Sequence, residues 1–352
     1  MTTRLTPRVR RSVLTLVTGA ATALLLSVTS ATAAPLDGPA DSRERAGTQA
    51  TPVDVWMKDF DADTGLQPHG NPTIWMSPDI KVCNTAVDCP WPGHSPIVGA
   101  RNYVHVNLRN PGPYGTGAME EGQIHVYWTD PGAGTAWEDD WNEIGWMTVP
   151  VYSGTTKVVI PWDNVPGPGH FCLLARWVSP NDPMTFEGPE TSVNTQYNNN
   201  IAWRNVDTVE VEAGGSATVM PYTMGNPLDR ANRNSLVFTE VGAPLRAAGG
   251  RLVANLGPTL YQRWVEGGKV GKAVRDLGRY QIEITDPATA RLDNLTLQAK
   301  EKLKFSLNFT AATVTKQPMA VRVTQFGPDS TGAQYTDRGG VHYNVKVGAP
   351  RR

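Results

Sequence analysis

Four short stretches of the 352-residue chain carry side chains whose types and spacing could do chemistry. In DFDADTGLQP, Asp59, Asp61 and Asp63 alternate ahead of Gly65. A turn at the glycine would gather three carboxylates around one hard cation, which takes six to eight oxygens, and Asp79 in SPDIKV offers another. Calcium is the natural cation outside a cell. The glycine falls seventh and no glutamate closes the loop, so the register is not that of an EF-hand. The alternative is a solvated acidic turn whose aspartates cap it. In KVCNTAVDCPWPG, Cys83 and Cys89 flank five residues, which in an exported chain closes a disulfide. Zinc is the rival, without a CxxC or HxxxH pattern beside it.

The third stretch, GHFCLLARWVSP, places His170 two residues before Cys172 and so on one strand face. A catalytic thiol needs an exposed, electropositive setting. Cys172 is instead flanked by Phe171, Leu173, Leu174 and Ala175, which reads as a buried free thiol in a central strand. In the fourth, AWEDDWNEIGW, Trp137, Trp141 and Trp146 fall in a loop beside Glu138, Asp139, Asp140 and Glu143, and Trp91 lies in the loop CPWPGH. Rings beside carboxylates suit a glycan surface of Trp91, Trp137 and Trp141; the same rings can simply plug a sandwich end. Glu138 and Asp140 are neighbours on one loop, whereas glycoside hydrolysis needs two carboxyls facing each other across a bond. No GxSxG, HExxH, Walker or dinucleotide fingerprint occurs. The triple amide Asn198-Asn199-Asn200 reads as a tight loop that uses left-handed conformations, with ligand binding as the alternative.

The elements that must position these residues are strands. With 34 glycines and 28 prolines, turns are frequent, which suits many short strands. In NYVHVNLRNPG, Val104, Val106 and Leu108 share one face, and in GQIHVYWTDPG so do Ile124, Val126 and Trp128. TTKVVIPWDNV, GHFCLLARWV and NIAWRNVDTVEVE supply three more strands, the last two separated by a polar loop from Ser179 to Asn200. Downstream, KLKFSLNFT turns Leu303, Phe305, Leu307 and Phe309 inward, VHYNVKV does the same with Val341, Tyr343, Val345 and Val347, and PMAVRVTQF and RYQIEITDP add two strands. One segment breaks the pattern: Pro258 is placed to begin a short helix and Gly267-Gly268 to stop it.

Residues 1–33 carry four arginines, an apolar run and Ala31-Thr32-Ala33, the pattern of a signal peptide; Arg10-Arg11 hints at the twin-arginine route. Residues 34–51 read as a flexible lead-in. The chain has 32 basic and 33 acidic side chains; loss of Arg4, Arg8, Arg10 and Arg11 with the leader would leave a net charge of −5. That balance disfavours nucleic acid as a partner. No later run is apolar enough to span a membrane. The remaining length suggests two domains, and EAGGSAT, residues 212–218, is the natural junction, giving domains 52–213 and 214–352.

The runs WMSPDIKV, RNYVHVNLRNPGP, GHFCLLARW and NNNIAWRNV resemble the immunoglobulin-like sandwich modules of secreted bacterial proteins, and LDNLTLQAKEKLKFSLNF with GGVHYNVKV resembles the companion sandwich that often follows them. The resemblance covers nearly all of residues 52–348. It implies an all-β fold of two tandem immunoglobulin-like β-sandwiches, the second with a short helical insertion. Such modules carry a cysteine in the penultimate strand two residues after a corner tyrosine, and His170 stands where that tyrosine would; Val104, Val106 and Leu108 leave no cysteine partner for Cys172. The expectation is an exported, non-catalytic binding or scaffold protein of the envelope or extracellular space, with an extracellular protein or glycan as partner and calcium as its one candidate ion. A carbohydrate-binding module, and a hydrolase whose site the sequence does not reveal, are the alternatives.

Overall fold

The computed structural model describes residues 53–167 and 169–350; the leader and lead-in expected over residues 1–51 lie outside them. Strands make up 49 % and helices 7 % of the described residues, an all-β fold. The first sandwich uses β1 (Ile80–Cys83), β2 (Asn102–Asn110), β3 (Glu120–Thr129), β5 (Asn142–Val151), β6 (Gly154–Trp162), β7 (Cys172–Val178) and β8 (Ile201–Arg204), with β4 (Gly132–Ala133) and helix α1 (Thr191–Tyr197) in its connections. They form two antiparallel sheets, β1-β2-β6 and β5-β3-β7-β8, the Greek-key order of immunoglobulin-like domains, with β7 in the penultimate place. Alternation makes this core: Val104, Val106 and Leu108 from β2 meet Ile124 and Val126 from β3, with Val158, Ile160 and Trp177.

The second sandwich contains β9 (Val206–Glu212), β10 (Thr218–Gly225), β11 (Asn232–Gly242), β12 (Arg251–Asn255), α2 (Gly257–Glu266), β13 (Gly271–Lys272), β14 (Val274–Gly278), β15 (Gln281–Ile284), β16 (Arg291–Leu297), β17 (Lys302–Thr310), β18 (Thr315–Pro328) and β19 (Tyr335–Gly348). Its sheets are β14-β15-β12-β17-β10-β4 and β13-β16-β11-β18-β19-β9. Phe305, Leu307 and Phe309 of β17 and Val341, Tyr343, Val345 and Val347 of β19 are buried as their alternation predicts. Helix α2 starts with proline in its first turn and ends at Gly267, whose N–H donates to the Arg263 carbonyl. Leu260 and Trp264, one turn apart, bury its inner face.

The change of strand partners comes before EAGGSAT. The run NIAWRNVDTVEVE is one extended path divided at Asn205: β8 pairs with β7 in the first sandwich, and β9 pairs in parallel with β19 in the second. The strand pairing thus changes partners at 205/206, ahead of the expected boundary of 213/214. Nothing in the alternation marks the division, because the strand stays extended and only its neighbours change. Asn205 is fully buried, and both its backbone groups and its side-chain N–H groups are bonded. Its N–H donates to Trp75 O (2.8 Å), its carbonyl accepts from His342 N (3.0 Å), and its side-chain amide donates to Gly132 O (2.9 Å) and Gly340 O (2.6 Å).

Around this point the two sandwiches interpenetrate. Strand β4, from a loop of the first sandwich, adds in parallel to β10 as an edge strand of the second. The buried side chains of Arg338 on β19 and Glu190 ahead of α1 form an ion pair, Asp140 pairs with Lys302, and Asp130 pairs with Lys304 at 2.6 Å. Removing one member of the buried pair would strand a charge, an effect of about 3–5 kcal/mol. Gly339 and Gly340 allow a close approach of side chains: a Cβ at Gly339 would sit 2.3 Å from the Trp203 ring, and one at Gly340 2.5 Å from Val323 O and 2.7 Å from the Trp75 ring. Both indoles are fully buried, so β19 has no side chain where the first sandwich docks its largest ones.

His342, beside Asn205, is a buried neutral imidazole. Nδ1 accepts from Arg322 Nε (3.1 Å) and Nε2 donates to Asn344 Oδ1 (3.1 Å). Burial, then the Arg322 charge, pushes its pKa down to about 4. Because the folded value lies below the unfolded one of about 6.5, His342 contributes stability that is complete above pH 6.5 and is lost as pH falls from 6.5 through 4. We predict that the melting temperature declines over that window and that the decline is shallower in His342→Gln, which keeps an acceptor and a donor but does not titrate. Equal slopes in the two proteins would refute this assignment.

Candidate functional site

The acidic loop divides its carboxylates between different tasks. Asp63 folds the loop: its Oδ2 accepts from Asp59 N (2.8 Å) and its Oδ1 from Gly65 N (2.9 Å). Asp59 is buried and its Oδ2 lies 2.9 Å from Nε2 of His69, a residue absent from the set expected from sequence. Burial raises the Asp59 pKa well above the usual carboxylate range, with Asp63 and Asp79 adding to it, and burial lowers that of His69. Asp79 is already occupied by a buried fork: Arg109 Nε donates to its Oδ2 (2.9 Å) and Nη2 to its Oδ1 (2.6 Å), with Lys58 N at 2.8 Å. Asp61 is exposed, and its carbonyl takes the Lys58 ammonium. The expected four-aspartate cage is thus not assembled; Asp59 and Asp63 converge with His69 instead.

Cys83 and Cys89 form a disulfide. Cys172 is a fully buried free thiol at the start of β7, its Sγ 4.0 Å from Gly132 O, and burial raises its pKa well above the ordinary value. His170 turns to Asp207 instead, Nδ1 to Oδ1 at 3.2 Å. Burial works against the imidazolium there, but the bond and the charge of Asp207 leave its pKa raised. The contact ties the approach to β7 to β9 beside the seam, and no nucleophile pair forms.

The tryptophans singled out from the sequence differ in burial. Trp75, Trp177 and Trp203 are fully buried. Trp141, expected on a binding surface, donates from Nε1 to Thr191 Oγ1 (2.9 Å) and packs edge-on against Trp203; it closes a small core over the outer face of β7 and β8. Trp91 is 53 % exposed and lies 4.3 Å from the Arg204 guanidinium. Arg204 is buried, donates to Ser77 O and Pro92 O, and burial pulls its pKa down to about 10. The Trp91 ring therefore lids a buried cation.

Trp146 differs from all of these. The sequence reading placed it in a loop, but Gly145 and the bulge opposite Val126 and Tyr127 keep NEIGWMTVPV in register as the edge strand β5. There Trp146 is 55 % exposed. It pairs with His125 across the strands and stacks on it (centroids 5.9 Å apart, 24° between planes), and His125 stacks on Tyr127 (6.3 Å, 13°). Tyr127 meets Trp137 edge to face at 5.3 Å, and the Arg176 guanidinium covers Trp137 at 4.3 Å. Glu143 accepts from His125 Nδ1 at 3.0 Å and Glu187 pairs with Arg176. The result is a partly exposed aromatic row on the outer face of β5-β3-β7, flanked by Gln123, Glu143 and Glu187. Of the expected trio Trp91, Trp137 and Trp141, the structure brings only Trp137 to this row.

No protein-family model matches the chain, and no curated protein matches it in sequence. Among solved structures it is similar to the CupB6 tip adhesin from Pseudomonas aeruginosa (9 % identity, TM-score 0.23, 77 % of this chain and 99 % of that one). It is similar also to the N-terminal domain of PorA (15 %, 0.23, 42 % and 92 %) and to the collagen adhesin CNA from S. aureus (8 %, 0.21, 76 % and 91 %). Overlaps of that size carry no argument about this chain. Its own side chains do.

The triple amide belongs to the scaffold. Asn198 Oδ1 accepts from Thr185 N (2.9 Å) and its Nδ2 donates to Asn194 O (2.8 Å). Asn199 Nδ2 bridges Asp54 Oδ1 and Gly65 O, and Asn200 Nδ2 reaches Asp182 O. All three are buried and none has positive φ, so the expected left-handed loop is replaced by amides that stitch the 182–200 connection and its helix α1 to the acidic loop. We predict that an alkylating reagent leaves Cys172 unmodified in the native protein over hours and labels one thiol per chain once denaturant is added. Rapid native labelling would contradict its burial.

Proposed function

We propose that this chain is an exported, non-catalytic binding protein that holds an extracellular glycan on the outer face of β5-β3-β7. The observation that supports it is the exposed Trp146 indole held against His125 and, through it, Tyr127. A ring fixed before the ligand arrives loses little freedom on binding, and aromatic faces offer the apolar surface on which a sugar ring packs. Gln123, Glu143 and Glu187 edge the row with acceptors for sugar hydroxyls, and Arg176 adds donors. The long unpaired edge of β5 would also suit a peptide strand, but the row of rings favours a flat, hydroxylated ligand.

The loop carboxyls that a hydrolase would require are engaged or adjacent. Asp140 accepts from Ala136 N (2.8 Å) and pairs with Lys302, and Glu138 and Asp139 precede it on the same turn. This supports a binding role over turnover.

A screen of immobilised bacterial and host polysaccharides with the mature protein tests the reading. Trp146→Ala should lower affinity for any retained glycan by at least about tenfold, the scale of a lost aromatic contact of roughly 1.4 kcal/mol. Its exposed position predicts a melting temperature close to that of the parent. Retention of no glycan, or undiminished binding by Trp146→Ala, would reject the proposal.

A further inference from the structure

The buried cluster at the acidic loop is unbalanced. Asp59 exposes 2 % of its side chain; its Oδ2 meets His69, but its Oδ1 has no hydrogen-bond partner, and neither has the buried Nδ1 of His69. Asp63, also buried, faces the same space: one donor atom each from Asp59, Asp63 and His69 lies within 4.8 Å of the others. Two buried carboxylates this close, one with an oxygen left unsatisfied, repel each other unless a proton or a cation lies between them.

We infer that Asp59, Asp63 and His69 form a binding site for one zinc-like divalent transition-metal ion, independent of the glycan-binding reading. The donor set argues for the class of metal. Calcium takes six to eight oxygens, and the two that this loop would have to recruit are elsewhere: the Asp79 oxygens hold Arg109, and Asp61 faces solvent. Two carboxylate oxygens and one imidazole nitrogen match zinc, with a fourth position left for water. The ligands are positioned in advance. Asp63 is aimed by the N–H groups of Asp59 and Gly65, and His69 by its own N–H to Gln196 O (3.2 Å) and an edge contact with Phe60 at 5.5 Å. An ion there would cross-link the acidic loop to His69, whose backbone N–H is already bonded to Gln196 O of α1.

Titration calorimetry on untagged, chelator-treated mature protein tests this with zinc, cobalt and calcium salts alone as probes. We expect one zinc per chain, cobalt at the same site with a visible ligand-field band, and at least about tenfold weaker binding in His69→Gln and in Asp59→Asn. Asp59→Asn keeps the shape of the side chain without its charge, so it separates loss of a ligand from loss of folding, which the melt of the metal-free variant checks. Absence of binding by any cation would overturn the inference and leave Asp59 as a buried neutral acid. Binding of calcium but not zinc, or zinc binding unchanged in both variants, would overturn it equally. None of these results bears on Trp146, so this inference and the glycan reading fail separately.

Discussion

The structure depends on a single residue's worth of backbone, Asn205, where one extended strand leaves the first sheet and enters another. Four hydrogen bonds, to Trp75, Gly132, Gly340 and His342, fix it from both sandwiches at once. A hinge requires backbone groups that water can satisfy when it moves. Here every polar group but the side-chain carbonyl oxygen is satisfied by protein, so bending the strand would leave buried donors and acceptors without partners, each at about 1–3 kcal/mol. The strand is a shared beam, and the loops that reach across it follow from that. Strand β4 pairs with β10 at Gly132, whose carbonyl also accepts from Asn205 Nδ2.

The same constraint divides the outer face of β5-β3-β7-β8 into two parts. Near the seam, Trp203, Leu174 and Cys172 must be covered, and the loops carrying Trp75 and Trp141 cover them. Away from it, Trp146 and His125 form the surface of β5 and β3, and Trp137 packs on the half-buried Tyr127 beside them. The aromatic row and the seam are therefore two ends of one sheet. The Arg176 fork joins them, lying over Trp137 on one side and reaching Met184 Sδ at 3.2 Å on the other.

What the sequence made legible is local. Alternation in β2, β3, β17 and β19, and the proline and glycine that bound α2, report backbone periods that their own side chains impose. The disulfide is legible because its two cysteines lie within one short loop. The non-local facts were hidden. Asp79 looks like a metal ligand until Arg109, 30 residues away, is folded against it. His69 sits among Gly and Pro with no spacing signal to join it to Asp59. TSVNTQY forms α1 without an apolar stripe, so nothing distinguished it from loop. NEIGWMTVPV hides β5 behind a glycine and an aromatic-acidic approach, and with it Trp146. Asn205 is one asparagine in a continuous alternating run, and only the change of neighbours reveals its role.

The central claim is that the seam makes two sandwiches unfold as one. Ten of the eleven tryptophans precede Asn205, so their fluorescence follows chiefly the first sandwich, whereas far-ultraviolet circular dichroism follows the strands of both. Equilibrium urea unfolding monitored by the two signals is the most direct measurement. A shared seam predicts coincident, single transitions with one midpoint. A fluorescence transition displaced from the dichroism transition, or a dichroism curve with two steps, would show that each sandwich unfolds by itself and that Asn205 is only a linker.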